Sequence, residues 1–274
     1  MKSNKQVVEP IISPIFFNEG CNGASCFVAG TLVHTDKGLV PIEQIKVGDL
    51  VLSRPEDGGD SFPTEYKRVT KIFKSADKKD IFSLKFVSEH SNDETGSIEY
   101  LFSTNNPLYW KQNLGWENAE HLCMGDQLTD LNGDIIYVYD DVLPVLLFPI
   151  LNGIGFTKYS ENHPISGKEY PGISIVDFNN IPKLIYTDDE FYENNFYYED
   201  KSLWNINNNT FYSKDIINNV LEYYLEQNEI FACNSKKDYL ESYYQDHVYN
   251  IEVEDYHTYF VGKTRVWVHA ANSA

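Results

Sequence analysis

The chain has 274 residues, and its 22 Lys and Arg against 41 Asp and Glu give a formal charge of −19. A field of that sign repels phosphate backbones and anionic headgroups, which excludes nucleic acid and membrane surfaces as general partners. A hydrophobic share of 42%, with 20 Tyr and 16 Phe, is enough to pack a core without disulfides or a structural metal.

No segment reaches the roughly 18 apolar residues that a membrane-crossing helix needs. The best candidate, Val142 to Ile154, is short and broken by Pro144 and Pro149. Glu9, Pro10 and Pro14 interrupt the N-terminal apolar run, which argues against a secretory signal. The cysteines at 21, 26, 123 and 233 form no C-x-x-C knuckle. His34, His90, His121, His163 and His247 share no ligand spacing, so neither a metal nor a cofactor is expected.

In chain order, Phe27 to Ser53 reads as short strands broken by turns. Asp36-Lys37-Gly38 separates two apolar runs as a hairpin in which Gly38 takes a positive φ. Ile42 to Ile45 reads as one helical turn, and Val47-Gly48-Asp49 as a tight turn into the strand Leu50-Val51-Leu52. Strands follow at Arg68 to Lys74 and Ile81 to Ser88, and Ile98 to Phe102 pairs back after a polar loop.

The run from Gly38 to Asp49 lies over the run from Gly115 to Asp126 with a constant offset of 77 residues. Both glycines, the glutamates at 43 and 120, the apolar positions and the Gly-Asp turns coincide without a gap. Two copies of one β-rich unit predict a pseudo-symmetric, mainly β fold.

After Tyr139 the composition changes: residues 140–246 carry 18 acidic side chains against 7 lysines, a net of −11. Ser213 is placed to cap a helix from Lys214 to about Phe231, with Ile217, Val220, Leu221, Tyr224 and Leu225 on one face. Strand patterning resumes at Val248 to Val253, Tyr259 to Val261 and Val266 to Val268. The middle region thus reads as an insertion into a β-domain. Its acidic face suits a basic protein partner.

Cys26, in Cys26-Phe-Val-Ala-Gly30-Thr31, is a candidate nucleophile, although most lone free cysteines are simply small buried hydrophobes. Near the other end stand Tyr256-His257-Thr258-Tyr259-Phe260 and Val266-Trp267-Val268-His269-Ala270. Taken with Cys26 and the twin Gly-Asp turns, these segments resemble the Hint (hedgehog/intein) superfamily. They are most similar to bacterial intein-like domains and the pretoxin Hint domains of polymorphic toxins. Residues 26–130 and 247–270 carry the resemblance.

The resemblance implies a horseshoe-like Hint fold with an α/β insertion, divided as a leader 1–25, a first β part 26–139, the insertion 140–246 and closing strands 247–274. It also implies self-processing in cis. Cys26 would attack the Ser25 carbonyl in an N-to-S acyl shift, beside the mid-chain motif at Ser103, Thr104 and Asn106. His269 would assist cyclisation of a following asparagine, His257 would polarise that bond, and the released cargo would be a C-terminal toxin or effector of an exported bacterial protein.

Two positions depart from the pattern. Asn106 stands where the motif ends in His, and it lacks a proton to donate near neutral pH. Ala270 stands where the family has Asn, and alanine cannot cyclise. A substituted asparagine is the reading taken for Ala270, with Asn272 in a shifted register as the alternative. Together they also support a second reading, a catalytically degenerate Hint module serving as an interaction domain. If processing is right, Cys26, Ser103, Asn106, His257 and His269 should converge.

Overall fold

The computed structural model describes residues 16–17, 26–59, 62–88, 98–148, 152–158, 173–179, 182–187 and 242–270. Among them the chain is nearly all antiparallel β, with two single-turn helices at Ile42–Gln44 and Ala119–His121. A 16-stranded sheet, a 4-stranded sheet and a 2-stranded ribbon account for the strands.

The repeat is built twice in three dimensions. The hairpin Leu32–Thr35 with Gly38–Pro41 leads through the helical turn at Ile42–Gln44 to the strand Leu50–Ser53. Its counterpart Leu108–Lys111 with Gly115–Asn118 leads through Ala119–His121 to Gln127–Thr129. Gly38 and Gly115 take φ of 96° and 98°, a region closed to most side chains, so each hairpin turns on a glycine.

The Gly-Asp turns use the same hydrogen bonds. Asp49 Oδ2 accepts the Lys46 N–H at 2.9 Å, and Asp126 Oδ2 accepts the Cys123 N–H at 3.0 Å. The Gly48 N–H reaches the Val69 carbonyl and the Gly125 N–H the Val138 carbonyl, both at 2.8 Å. A lysine closes each aspartate, Lys37 at 2.8 Å and Lys111 at 2.9 Å. Cys123, at the position of Lys46 in the first copy, is free and exposed.

Alternating apolar residues from both copies fill one continuous core. It includes Phe27, Val33, Val51, Val69, Leu84, Tyr109, Leu128, Ile136, Ile251, Tyr259 and Val268. Lys85 is buried on the same sheet, yet its Nζ lies 3.1 Å from Asp140 Oδ2 and over the rings of Tyr100 and Tyr139. Burial pushes the Asp140 carboxyl above the ordinary carboxylate range, against the pull of the Lys85 ammonium.

The described parts of the region after 140 are strands. Leu146–Leu147, Ile154–Lys158, Ile173–Asp177 and Lys183–Thr187 form an antiparallel sheet in that order. It shares a second core with the main sheet, in which Cys26, Val28, Phe73 and Phe102 join Val145, Val176, Phe178 and Tyr244. The expected helix 214–231 lies outside the described residues. Phe16–Phe17 pairs in parallel with Phe73 and Lys74, inside the segment read as a leader.

Candidate functional site

The strand Phe27–Val28 starts one residue after Cys26, and Phe27 pairs with Ser103 at the end of the strand Ile98–Ser103. That register sets Thr104 against Cys26. The Cys26 N–H donates to Thr104 Oγ1 at 3.2 Å, and the Thr104 N–H donates to the Cys26 carbonyl at 2.9 Å. The Thr104 hydroxyl also leans to that carbonyl at 3.4 Å. Ser103 Oγ turns elsewhere and donates to the Thr104 carbonyl at 2.8 Å. Among the motif residues it is therefore Thr104 whose hydroxyl meets the nitrogen of the Ser25–Cys26 peptide.

Cys26 is fully buried and disulfide-bonded. Cys123 is free, and the partner of Cys26 lies outside the described residues. A sulfur in a disulfide is no nucleophile, so any chemistry at Cys26 waits on reduction. Asn106 is half-buried three residues after Ser103, and the neighbouring Asn105 Nδ2 donates to Glu120 at 3.2 Å.

The second group forms where the strands Thr258–Val261 and Val266–His269 pair, with Thr258 opposite His269. A tight turn brings the chain back: Asp255 and His257 take φ of 64° and 54°, uncommon for side-chain-bearing residues. The His257 carbonyl then accepts the Ala270 N–H at 2.7 Å. His269 Nδ1 lies 2.7 Å from the Ala270 carbonyl oxygen. Both ends of residue 270 are thus held by histidines. The Nδ1 of His257 is buried and has no partner among the described residues.

The other ring nitrogen of His269, Nε2, lies 2.7 Å from Glu56 Oε2. Glu56 sits 213 positions away, just past the strand Leu50–Ser53, and no sequence pattern marks it. The ring of His269 also meets the Trp116 indole edge-on at 5.1 Å. Trp116 stands against Trp110 and Trp267, which completes an apolar wall on that side.

The two groups are joined by an aromatic core. The Phe27 ring meets the edges of Tyr109 and Tyr259 at 6.5 and 6.4 Å, and both tyrosines pair with Val268, one residue before His269. Burial raises the hydroxyls of both tyrosines well above their usual range, so they stay neutral packing groups. The structure therefore brings Cys26 together with Ser103 and Thr104, and His257 together with His269 and Ala270. Asn272 lies outside the described residues. Among the described residues no three His, Cys, Asp or Glu side chains are grouped to hold a metal.

Residues 32–146 match the family model described as the pretoxin HINT domain. The chain is similar to the solution structure of a bacterial intein-like domain from Clostridium thermocellum, at 18% identity and a TM-score of 0.45, over 90% of this chain and 99% of that one. It is also similar to the gp41-1 intein, at 12% identity and a TM-score of 0.40, over 90% and 99% of the two chains. A DnaB intein from Synechocystis sp. PCC 6803 gives 10% identity and a TM-score of 0.39, over 91% and 100%. Among curated proteins none matches.

Proposed function

We propose that the Hint domain of the pretoxin, intein-like kind in this chain works as a self-processing domain that cuts its own backbone to free a C-terminal toxin or effector. The observation that carries the reading is the grip on residue 270, whose N–H rests on the His257 carbonyl and whose carbonyl faces the His269 ring, each at 2.7 Å. Imidazoles exchange protons near neutral pH, which suits them to move a proton onto a departing amine.

With asparagine at 270, the side-chain nitrogen attacks its own main-chain carbonyl carbon and the bond to residue 271 breaks. One proton leaves the attacking nitrogen and one arrives on the amine of residue 271, so the charge balances. Ala270 has no such nitrogen, and this route is closed in the chain as it stands. At the other site, once Cys26 is reduced, its sulfur adds to the Ser25 carbonyl carbon. The amide bond breaks and the thiol proton passes to the Cys26 nitrogen. Thr104, hydrogen-bonded to that nitrogen, supports the exchange by holding the amide in place.

The test is intact mass spectrometry on the chain carrying Ala270→Asn and a reporter fused after Ala274, with and without dithiothreitol. Release of the reporter at residue 270, abolished by His269→Ala, is the expected result. Thiol-dependent loss of residues 1–25 reports the acyl shift separately. A fusion that stays intact under every condition overturns the reading and leaves the degenerate interaction module, which Asn106 and Ala270 favour.

A further inference from the structure

We infer that Glu56 is a positioning residue that keeps the His269 ring doubly protonated, with one N–H fixed on the Ala270 carbonyl oxygen. The inference deepens the self-processing reading and, as a statement about cleavage, rests on it. A neutral imidazole has one N–H and one bare nitrogen. Here both ring nitrogens face oxygens at 2.7 Å, a carboxylate on Nε2 and a backbone carbonyl on Nδ1. A carbonyl and an ionised carboxylate only accept, so the arrangement is satisfied by an imidazolium that donates twice.

The position of Glu56 is built rather than incidental. Ser53 Oγ donates to the Thr258 carbonyl at 2.7 Å, and the Arg54 N–H donates to Thr258 Oγ1 at 3.2 Å. The Thr258 hydroxyl donates back to the Arg54 carbonyl. Arg54 lays its guanidinium over Trp267 and donates to the Leu131 carbonyl at 2.9 Å. Beyond Glu56 the chain turns on a Gly58 N–H bond to the Pro55 carbonyl at 2.9 Å. The Trp116 indole N–H takes the Glu56 carbonyl at 2.9 Å, and the same indole flanks the His269 ring. The segment carrying the carboxylate is thereby tied to Thr258, the residue opposite His269.

The chemical consequence lies at the carbonyl. An imidazolium N–H opposes the negative charge that grows on the Ala270 oxygen during attack more strongly than a neutral ring would. The ring then gives one proton to the departing amine of residue 271 and regains one from the attacking nitrogen. Glu56 holds the ring's orientation through both steps and touches neither reacting atom.

Two readouts on the full chain test this. In ring-¹⁵N NMR near neutral pH, both nitrogens of His269 should be protonated in the chain as it exists, and Glu56→Gln should leave a single proton on the ring. In the Ala270→Asn reporter fusion, Glu56→Gln should slow release on the order of 10-fold or more, with partial recovery in Glu56→Asp. A singly protonated ring in the parent chain overturns the inference whatever the cleavage rate. Equal release with and without the Glu56 carboxylate overturns it too. A doubly protonated ring that loses a proton in Glu56→Gln, in a fusion that never cleaves, sinks the processing reading and leaves the Glu56–His269 assignment standing.

Discussion

Thr104 is the motif side chain that holds the Cys26 backbone. Its hydroxyl receives the Cys26 N–H, while Ser103 spends its own hydroxyl on the backbone of Thr104. Thr104→Val should therefore slow thiol-dependent loss of residues 1–25 by roughly 10-fold or more, as expected for a positioning group. The stability cost should stay near 1–2 kcal/mol, the range for a lost buried hydrogen bond. Thr104→Ser should recover most of the rate. Mass spectrometry over time, beside urea denaturation of each variant, separates the two effects. An unchanged rate in Thr104→Val would remove Thr104 from the site. Cys26, His257 and His269 could be named as candidates from the sequence because each stands in a short local pattern at a chain position the resemblance singles out. Glu56 was not, because its partner is 213 positions away and the Pro-Glu-Asp-Gly-Gly segment around it reads only as a turn.

Among the elements, the two Gly-Asp turns offer an internal control. Gly48 and Gly125 take φ of 95° and 87°, and a Cβ built on either meets nothing within 4 Å. The cost of alanine there is conformational alone, about 1–2 kcal/mol at each turn. The double variant Gly48→Ala with Gly125→Ala should lose about the sum of the two, because separate turns with no shared partners behave independently. Denaturant midpoints of the three variants check this, and markedly unequal single costs would break the equivalence of the copies. These turns were legible because glycine at a positive φ followed by an acceptor on its neighbour is a local requirement. The pairing of Tyr109 with Val268 was not legible, because a register between strands so far apart in sequence is set by packing.

Across the whole molecule, the charge balance inside the core decides how firmly the acidic region is joined to the sheet. Lys85 and Asp140 are both almost fully buried, and Asp140 opens the segment whose later strands pack against Cys26 and Phe102. Asp140→Ala removes the carboxylate 3.1 Å from the buried Lys85 ammonium, and breaking such a pair costs about 3–5 kcal/mol. Urea unfolding of the variant measures it, and a cost below about 1 kcal/mol would mean that the cation finds another partner. The composition showed that a region of different character begins near 140. It could not show that the region's strands share an apolar cluster with the first part, since that depends on which faces meet.

The strand Val266–His269 is buried along its whole length and hydrogen-bonded on both edges, to Thr258–Val261 and at Tyr109. Under the processing proposal, a break after residue 270 leaves that strand where it was, while whatever follows is freed to diffuse. Two ends that were held at an effective molarity far above any cellular concentration become separate solutes. Rejoining then needs a second-order encounter at the dilute concentration of the product. The direction of the reaction is set by the firmness of the stump and the freedom of the released end, and no external energy source is required to make the cut permanent.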